Sequence, residues 1–232
     1  MAAEQNLEEF AYKSIVKLIQ ENRFRPGDVL LETELSERFG LKSRTPVRHA
    51  LGQLVASGFL EKRRKKGCFI PIASAEDAKQ VFFARECIEG NAAFAAARQA
   101  NAGDVADLRS IVDKEADTGR SGEKYDYSML NQRFHETIAR ISRNSYFQRY
   151  SGHLFWRSQV YIFLFGGYYT QKDFVRHMLS PPQHIKIVDA IENRDANEAR
   201  ERMIAHIRFT FERIFTIIQD TESRASYFPH RG

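Results

Sequence analysis

Residues 23–71, RFRPGDVLLETELSERFGLKSRTPVRHALGQLVASGFLEKRRKKGCFIP, decide the fold. Arg25-Pro26-Gly27-Asp28 reads as a turn, because proline cannot continue a helix and glycine reaches backbone angles that other residues avoid. Thr33 is expected to cap a helix through Glu34-Leu35-Ser36-Glu37-Arg38-Phe39, with Gly40 as its stop. Ser43 or Thr45 can cap the next helix, and Pro46 falls in its first turn, where a missing N–H costs little. Val47, Ala50, Leu51, Leu54 and Val55 then repeat at helical spacing as far as Ser57-Gly58. Phe59-Leu60-Glu61 and Gly67-Cys68-Phe69-Ile70 read as short strands joined by a basic turn that ends at Gly67. Upstream, Leu7, Phe10, Ala11, Ile15, Leu18 and Ile19 mark an amphipathic helix over residues 5–22. Helix, helix, turn, helix and hairpin is the order of a winged helix-turn-helix.

Charge follows the same boundaries. From Arg38 to Pro71 there are nine Lys/Arg, five of them in the run 62–66, against the single acid Glu61. From residue 72 onward 22 basic residues face 21 acidic ones, so the net charge of +5 is concentrated at the front of the chain. Arg44, Thr45, Arg48 and Gln53 stand at and near the N-terminal end of the third helix, where a recognition helix meets base edges and phosphates. The cationic hairpin suits a phosphate backbone, and Gly67 lets the main chain come close to it.

The 232 residues suffice for two modest domains, and 43% hydrophobic with 28% charged residues is an ordinary globular balance. No apolar run approaches the roughly 18 residues that read as a membrane span. The start, MAAEQNLEEF, lacks the basic and apolar regions of a signal peptide. Cys68 and Cys87 form neither a disulfide framework nor a CxxC pair, which implies a reduced, cytoplasmic setting. The histidines stand in no HExxH motif, and there is no GxSxG elbow or Gly-rich phosphate loop, so an enzyme is not expected.

Ser74, with Asp77 three residues on, begins a second region that is helical throughout. Helices are expected near 75–100, 104–118, 125–143, 145–166, 171–178, 181–193 and 195–220, with breaks at Asn101-Ala102-Gly103, Gly119 to Gly122, Gly166-Gly167 and Pro181-Pro182. Strands are expected only in the hairpin. The reading is therefore mainly α: a winged helix-turn-helix over 1–73, an antiparallel all-α helical bundle over 74–222, and a tail over 223–232. His135, His184 and His206 each sit among apolar residues on separate helices, and Asn131 shares a face with His135 four residues on. Spacing leaves open whether they converge as a site for Zn, Ni, Mn or Fe, line a cavity that holds an anion directly, or are hydrogen-bonded core residues. Arg85 can pair with Glu89 or meet a ligand carboxylate, and Arg157, next to Trp156, can line the same bundle. The aromatic run Tyr161 to Phe165, with Tyr168-Tyr169, suits core or dimer packing; His153 and His177 receive no assignment.

Phe24 to Pro71, and the block Ser43-Arg44-Thr45-Pro46-Val47-Arg48 above all, resembles the DNA-binding domain of the GntR family of bacterial regulators. Two positions depart from the pattern: two residues, Leu41 and Lys42, precede Ser43 where one is usual, and His49 stands where glutamate is common. The resemblance implies DNA contacts from Thr33, Arg44, Thr45, Arg48 and Gly67. Leu130 to His135, His184 to His206, and Arg85 with Glu89 are similar to the FCD effector domain of the FadR-like branch. That similarity implies a divalent metal held by Asn131, His135, His184 and His206, and a small carboxylate effector met by Arg85; Arg157, from its helix in the bundle, is the second expected effector contact. Asn131 replaces the aspartate of the metal-binding members, which removes a negative charge from the ligand set. The expected protein is a homodimeric regulator, in the commoner family logic a repressor, that binds a double-stranded operator and leaves it when the effector binds. A constitutive DNA-binding protein without an effector is the competing reading.

Overall fold

The computed structural model describes residues 2–64, 66–72, 74–165 and 180–227. Lys65, the Gly166-Gly167 break, Tyr168-Tyr169, the helix expected near 171–178, and His177 lie outside the described residues. Three helices open the chain: α1 (Ala2–Gln20), α2 (Glu32–Arg38) and α3 (Thr45–Ala56). Ala11, Ile15 and Ile19 of α1 pack with Leu35 of α2 and Val47, Ala50, Leu51 and Leu54 of α3, all buried. The apolar periodicity of the sequence is thus the core of this domain.

Thr33 is not the cap expected of it. Leu31 holds the N-cap position of α2 without a side-chain hydrogen bond, and Thr33 lies inside the first turn. Glu32 and Glu34 in that turn complement the positive end of the helix dipole instead. At α3 the N-cap position falls to Arg44, without a side-chain cap, rather than to Ser43 or Thr45; the Thr45 N–H still donates to Ser43 Oγ (3.2 Å), and Pro46 sits in the first turn as expected.

The wing hairpin pairs β2 (Glu61–Arg63) antiparallel with β3 (Gly67–Phe69). A third strand, β1 (Val29–Leu30), joins the other edge of β3 and gives the sheet order β1-β3-β2. Two residues are too few for a visible alternation, which is why the sequence reading confined strands to the hairpin. The Gly27 N–H donates to the Ile70 carbonyl (2.9 Å) and the Ile70 N–H to the Asp28 carbonyl (3.0 Å), tying the Pro-Gly turn to the wing. Gly27 (φ +89°) and Gly67 (φ +93°) both take the left-handed backbone that favours glycine.

The remaining helices are α4 (Ala75–Gln99), α5 (Ala102–Ser121), α6 (Lys124–Ile141), α7 (Ser145–Phe165), α8 (Ser180–Glu192) and α9 (Ala196–Tyr227). Ser74 caps α4 by accepting from the Asp77 N–H (3.1 Å), and Asn101 with Asp104 forms a capping box on α5. Pro181 falls in the first turn of α8 and does not interrupt it. The last helix continues to Tyr227, so residue 222 is not where helix gives way to tail. α4 and α9 pack along each other, close enough that a Cβ on Gly90 would stand 2.9 Å from the Ile204 side chain.

The two regions share one apolar core. The Phe59 ring meets Trp156 of α7 edge-on at 5.0 Å between centroids and Phe163 at 5.8 Å, while Tyr12 of α1 reaches the other side of Trp156. Gly58 (φ +83°) closes α3, and a Cβ there would fall 2.6 Å from the His153 ring of α7. Tyr161 and Phe163 are buried, so within the described residues this part of the aromatic run is core. Phe59, 1% exposed, is the ring on which this junction closes. The expected result for Phe59→Ala is a loss of about 3–5 kcal/mol, whereas Tyr146→Ala, at a 69% exposed position, stays within about 0.5 kcal/mol; urea unfolding followed by circular dichroism compares the two.

Candidate functional site

Two centres stand out, one in each region. In the first, Thr33, Arg44, Arg48, Lys62 and Gly67 line a single cleft of about 510 Å³ between α2, α3 and the wing. Arg44 stands at the N-terminal end of α3, the positive end of its dipole. Thr45 is exposed beside it, outside the cleft lining. Arg48 forks onto Glu32, with Nη2 to Oε2 at 2.8 Å and Nε to both oxygens at 3.0 and 3.1 Å. The hydrogen bonds from Arg48 hold the Glu32 carboxyl below its ordinary range. His49 joins α3 to α1 through Glu8, at 2.5 Å.

The second centre lies inside the bundle. His135 of α6, His184 of α8 and His206 of α9 are all buried, and one ligand nitrogen of each lies within 4.8 Å of the others. His184 Nδ1 contacts Glu115 Oε2 of α5 at 2.7 Å, and His206 Nδ1 contacts Gln183 Oε1 at 2.7 Å. When the two rings are neutral, an acceptor at each Nδ1 selects the Nδ1–H tautomer, and Nε2 is the atom each ring turns inward. The two Nε2 atoms face each other at 3.3 Å. His135 Nδ1 lies 2.6 Å from Glu89 Oε2, an electrostatic contact whose alignment falls short of a hydrogen bond, and its Nε2 has no partner. Phe134 stacks on His184 at 3.8 Å and Phe155 flanks His135, fixing the rings. Three buried imidazoles that aim lone pairs inward, each with an acceptor behind it, have the arrangement of a metal centre.

The other assigned residues divide. Arg85 is buried beside this cluster, where it grips Glu89 (2.6 and 3.2 Å) and donates to Ser158 Oγ (3.0 Å). Burial alone would raise the Glu89 carboxyl, but Arg85 and His135 outweigh it and hold it at about 2. Asn131 donates from Nδ2 to Glu115 Oε1 (2.8 Å). Arg157 does not join the histidines. Its guanidinium lies at the junction of the two regions, bonded to Asp77 Oδ2 (2.7 Å) and Glu61 Oε1 (3.2 Å), with the Tyr161 hydroxyl also on Asp77. The cause is helical phase: Phe155 and Ser158 face the histidines, and Arg157 is roughly 100° removed from Ser158 and on the far side from Phe155.

Sequence reasoning missed Glu115. The signal was present, because Leu108, Ile111, Val112 and Glu115 share one helical stripe, and an acid that continues an apolar stripe is a buried one.

Residues 7–70 match the family described as bacterial regulatory proteins, gntR family, and residues 80–209 match the FCD domain. The chain is 27% identical over 198 residues to the Nta operon transcriptional regulator of Aminobacter aminovorans, covering 84% of this chain and 89% of that one. It is 26% identical over 204 residues to the HTH-type transcriptional repressor RspR of Escherichia coli K12, covering 84% and 83%. The solved structure of E. coli McbR/YncC superposes with a TM-score of 0.71 at 17% identity, over 92% of this chain and 97% of that one, and so shares the fold.

Burial, with His184, His135 and Arg85 nearby, holds His206 well below the ordinary histidine value, and burial likewise lowers His135. The unfolded chain takes up these protons near pH 6.5 and the folded chain does not, so stability is complete above that pH and declines below it. The chelator-treated protein is expected to lose up to about 1.4 kcal/mol per pH unit per histidine below about pH 6.5. Urea unfolding across that range checks this, and His206→Asn should flatten the slope.

Proposed function

Because the chain belongs to the gntR family of bacterial regulatory proteins and carries the FCD domain, we propose that this transcriptional regulator is a homodimeric repressor released from its operator by a small carboxylate bound beside a divalent metal. One observation supports the reading: a single turn of α7 touches the histidine centre on one side and the base of the wing on the other. Phe155 flanks the His135 ring and Ser158 accepts from Arg85, while Trp156 packs on Phe59 and Arg157 bridges Asp77 and Glu61. A change of packing around the histidines therefore reaches the base of the wing through one rigid element. An effector acts this way only if it binds one placement of the winged domain better than another.

On the DNA side, Arg44 and Arg48 meet base edges and phosphates, Thr33 and Thr45 add hydroxyl contacts, and the wing tracks the backbone from Lys62 to Gly67. One domain reads a half-site, so a two-fold dimer on a palindrome is the matching assembly. Repression is supported by the name of the relative RspR.

His135, His184 and His206 would hold the ion through Nε2, with the side-chain oxygen of Asn131 as fourth ligand, and Zn, Ni, Mn or Fe suits such an N/O set. When bound, the ion supplies a Lewis-acidic anchor for the effector carboxylate. Direct anion binding by the histidines fits less well. His184 and His206 turn their Nδ1–H groups outward to Glu115 and Gln183, so the centre presents lone pairs rather than donors. Arg85 is engaged with Glu89 and Ser158 and acts to hold Glu89 against His135.

The test is selection of a duplex from a random pool by the purified protein, followed by binding at two salt concentrations. Affinity should fall steeply with salt, and Arg44→Ala should weaken the selected duplex by about 1–3 kcal/mol. Unchanged binding by Arg44→Ala would exclude this recognition surface.

A further inference from the structure

We propose that Glu115 is the positioning carboxylate of the histidine centre, supplying through His184 the negative charge that Asn131 does not carry. The inference rests on the metal reading above. Glu115 is fully buried on α5, and each of its oxygens is taken by one donor: Oε1 by Asn131 Nδ2 at 2.8 Å and Oε2 by His184 Nδ1 at 2.7 Å. No Lys or Arg is paired with it among the described ion pairs, whereas the other buried acid of the cluster, Glu89, has Arg85. A buried carboxylate held only by an amide and an imidazole is costly until a positive charge arrives nearby.

The direction of the contact decides the role. Glu115 meets His184 at Nδ1, behind the ring, while Nε2 faces His206. The carboxylate therefore works through the imidazole. It fixes the Nδ1–H tautomer, makes Nε2 a stronger donor to a cation, and adds charge one ring away from it. Asn131 serves the same purpose, since its amide N–H holds the second oxygen and fixes the rotamer of Glu115. The charge that seemed missing from position 131 stands across one hydrogen bond, on the neighbouring helix.

This geometry permits a swap. In Glu115→Gln/Asn131→Asp the hydrogen bond reverses, with the new amide donating to the new carboxylate, while the Gln carbonyl still accepts from His184 Nδ1. Charge and bonding are both kept. The experiment titrates Zn(II) into chelator-treated wild type, Glu115→Gln and the double variant, reading affinity by competition with a chromophoric chelator and the tautomer of His184 by nitrogen NMR. Glu115→Gln is expected to weaken Zn(II) by about 10–100-fold and the double variant to recover most of it. The NMR signal of His184 should lose its Nδ1–H preference in Glu115→Ala, which removes the acceptor. Wild-type affinity in Glu115→Gln, or an unaltered tautomer in Glu115→Ala, overturns the proposal while leaving the metal reading intact. No Zn(II) binding by wild type overturns both. If Glu115→Gln fails to fold, the double variant is compared with Asn131→Asp, which carries the same residue at 131: weaker Zn(II) binding by the double variant supports the proposal, and equal affinity overturns it.

Discussion

Four consecutive side chains on an α-helix cannot point the same way, and residues 155–158 of α7 put each direction to use. Phe155 and Ser158 face the histidines and Arg85, Trp156 enters the aromatic junction with Phe59, and Arg157 reaches Asp77 and Glu61. The rest of the molecule is arranged around that turn. Leu35, Val47, Leu51 and Leu54 of the winged region belong to the same buried cluster as the bundle, and Phe59 closes onto Trp156 where the two meet. The bundle in turn relies on Arg157 to neutralise Asp77, which stands in the first turn of α4.

The front of the chain was the more legible half. Apolar spacing, Pro46 at a helix start and glycines at left-handed turns are local signals, and the structure follows them there. Val29 and Leu30 escaped because a two-residue strand exists only through its partner, Phe69 and Cys68. In the bundle, the three histidines were legible as buried residues on separate helices, but their convergence depends on how α6, α8 and α9 pack. Arg157 was assigned to the pocket because it follows Trp156, and the 100° step per residue turned it toward the junction instead. Glu115 continues the stripe of Leu108, Ile111 and Val112, a pattern that marks it as inward-facing, but its partners His184 and Asn131 follow only from the packing of α5 against α6 and α8.

The burial of polar groups is organised by pairing rather than avoided. Arg85 with Glu89, Glu89 with His135, Glu115 with Asn131 and His184, and Gln183 with His206 form a nearly closed set of contacts in the centre of the bundle. What remains over is nitrogen: the Nε2 of His135 without a partner, and two more Nε2 atoms turned toward each other. In a packed interior such remainders are few, and both ring nitrogens of His135 are among those of the described residues.

The glycine that closes α3 has a consequence for modularity. The place a side chain would fill at Gly58 is occupied by the His153 ring of the other region. The boundary near residue 73 is therefore a boundary in sequence and charge but not in packing. A chimaera that grafts this winged domain onto a foreign bundle would have to carry His153, Trp156 and Arg157 along with it, or leave Phe59 open to water and Glu61 without its guanidinium. In this protein the unit of exchange is the winged region together with one turn of the bundle.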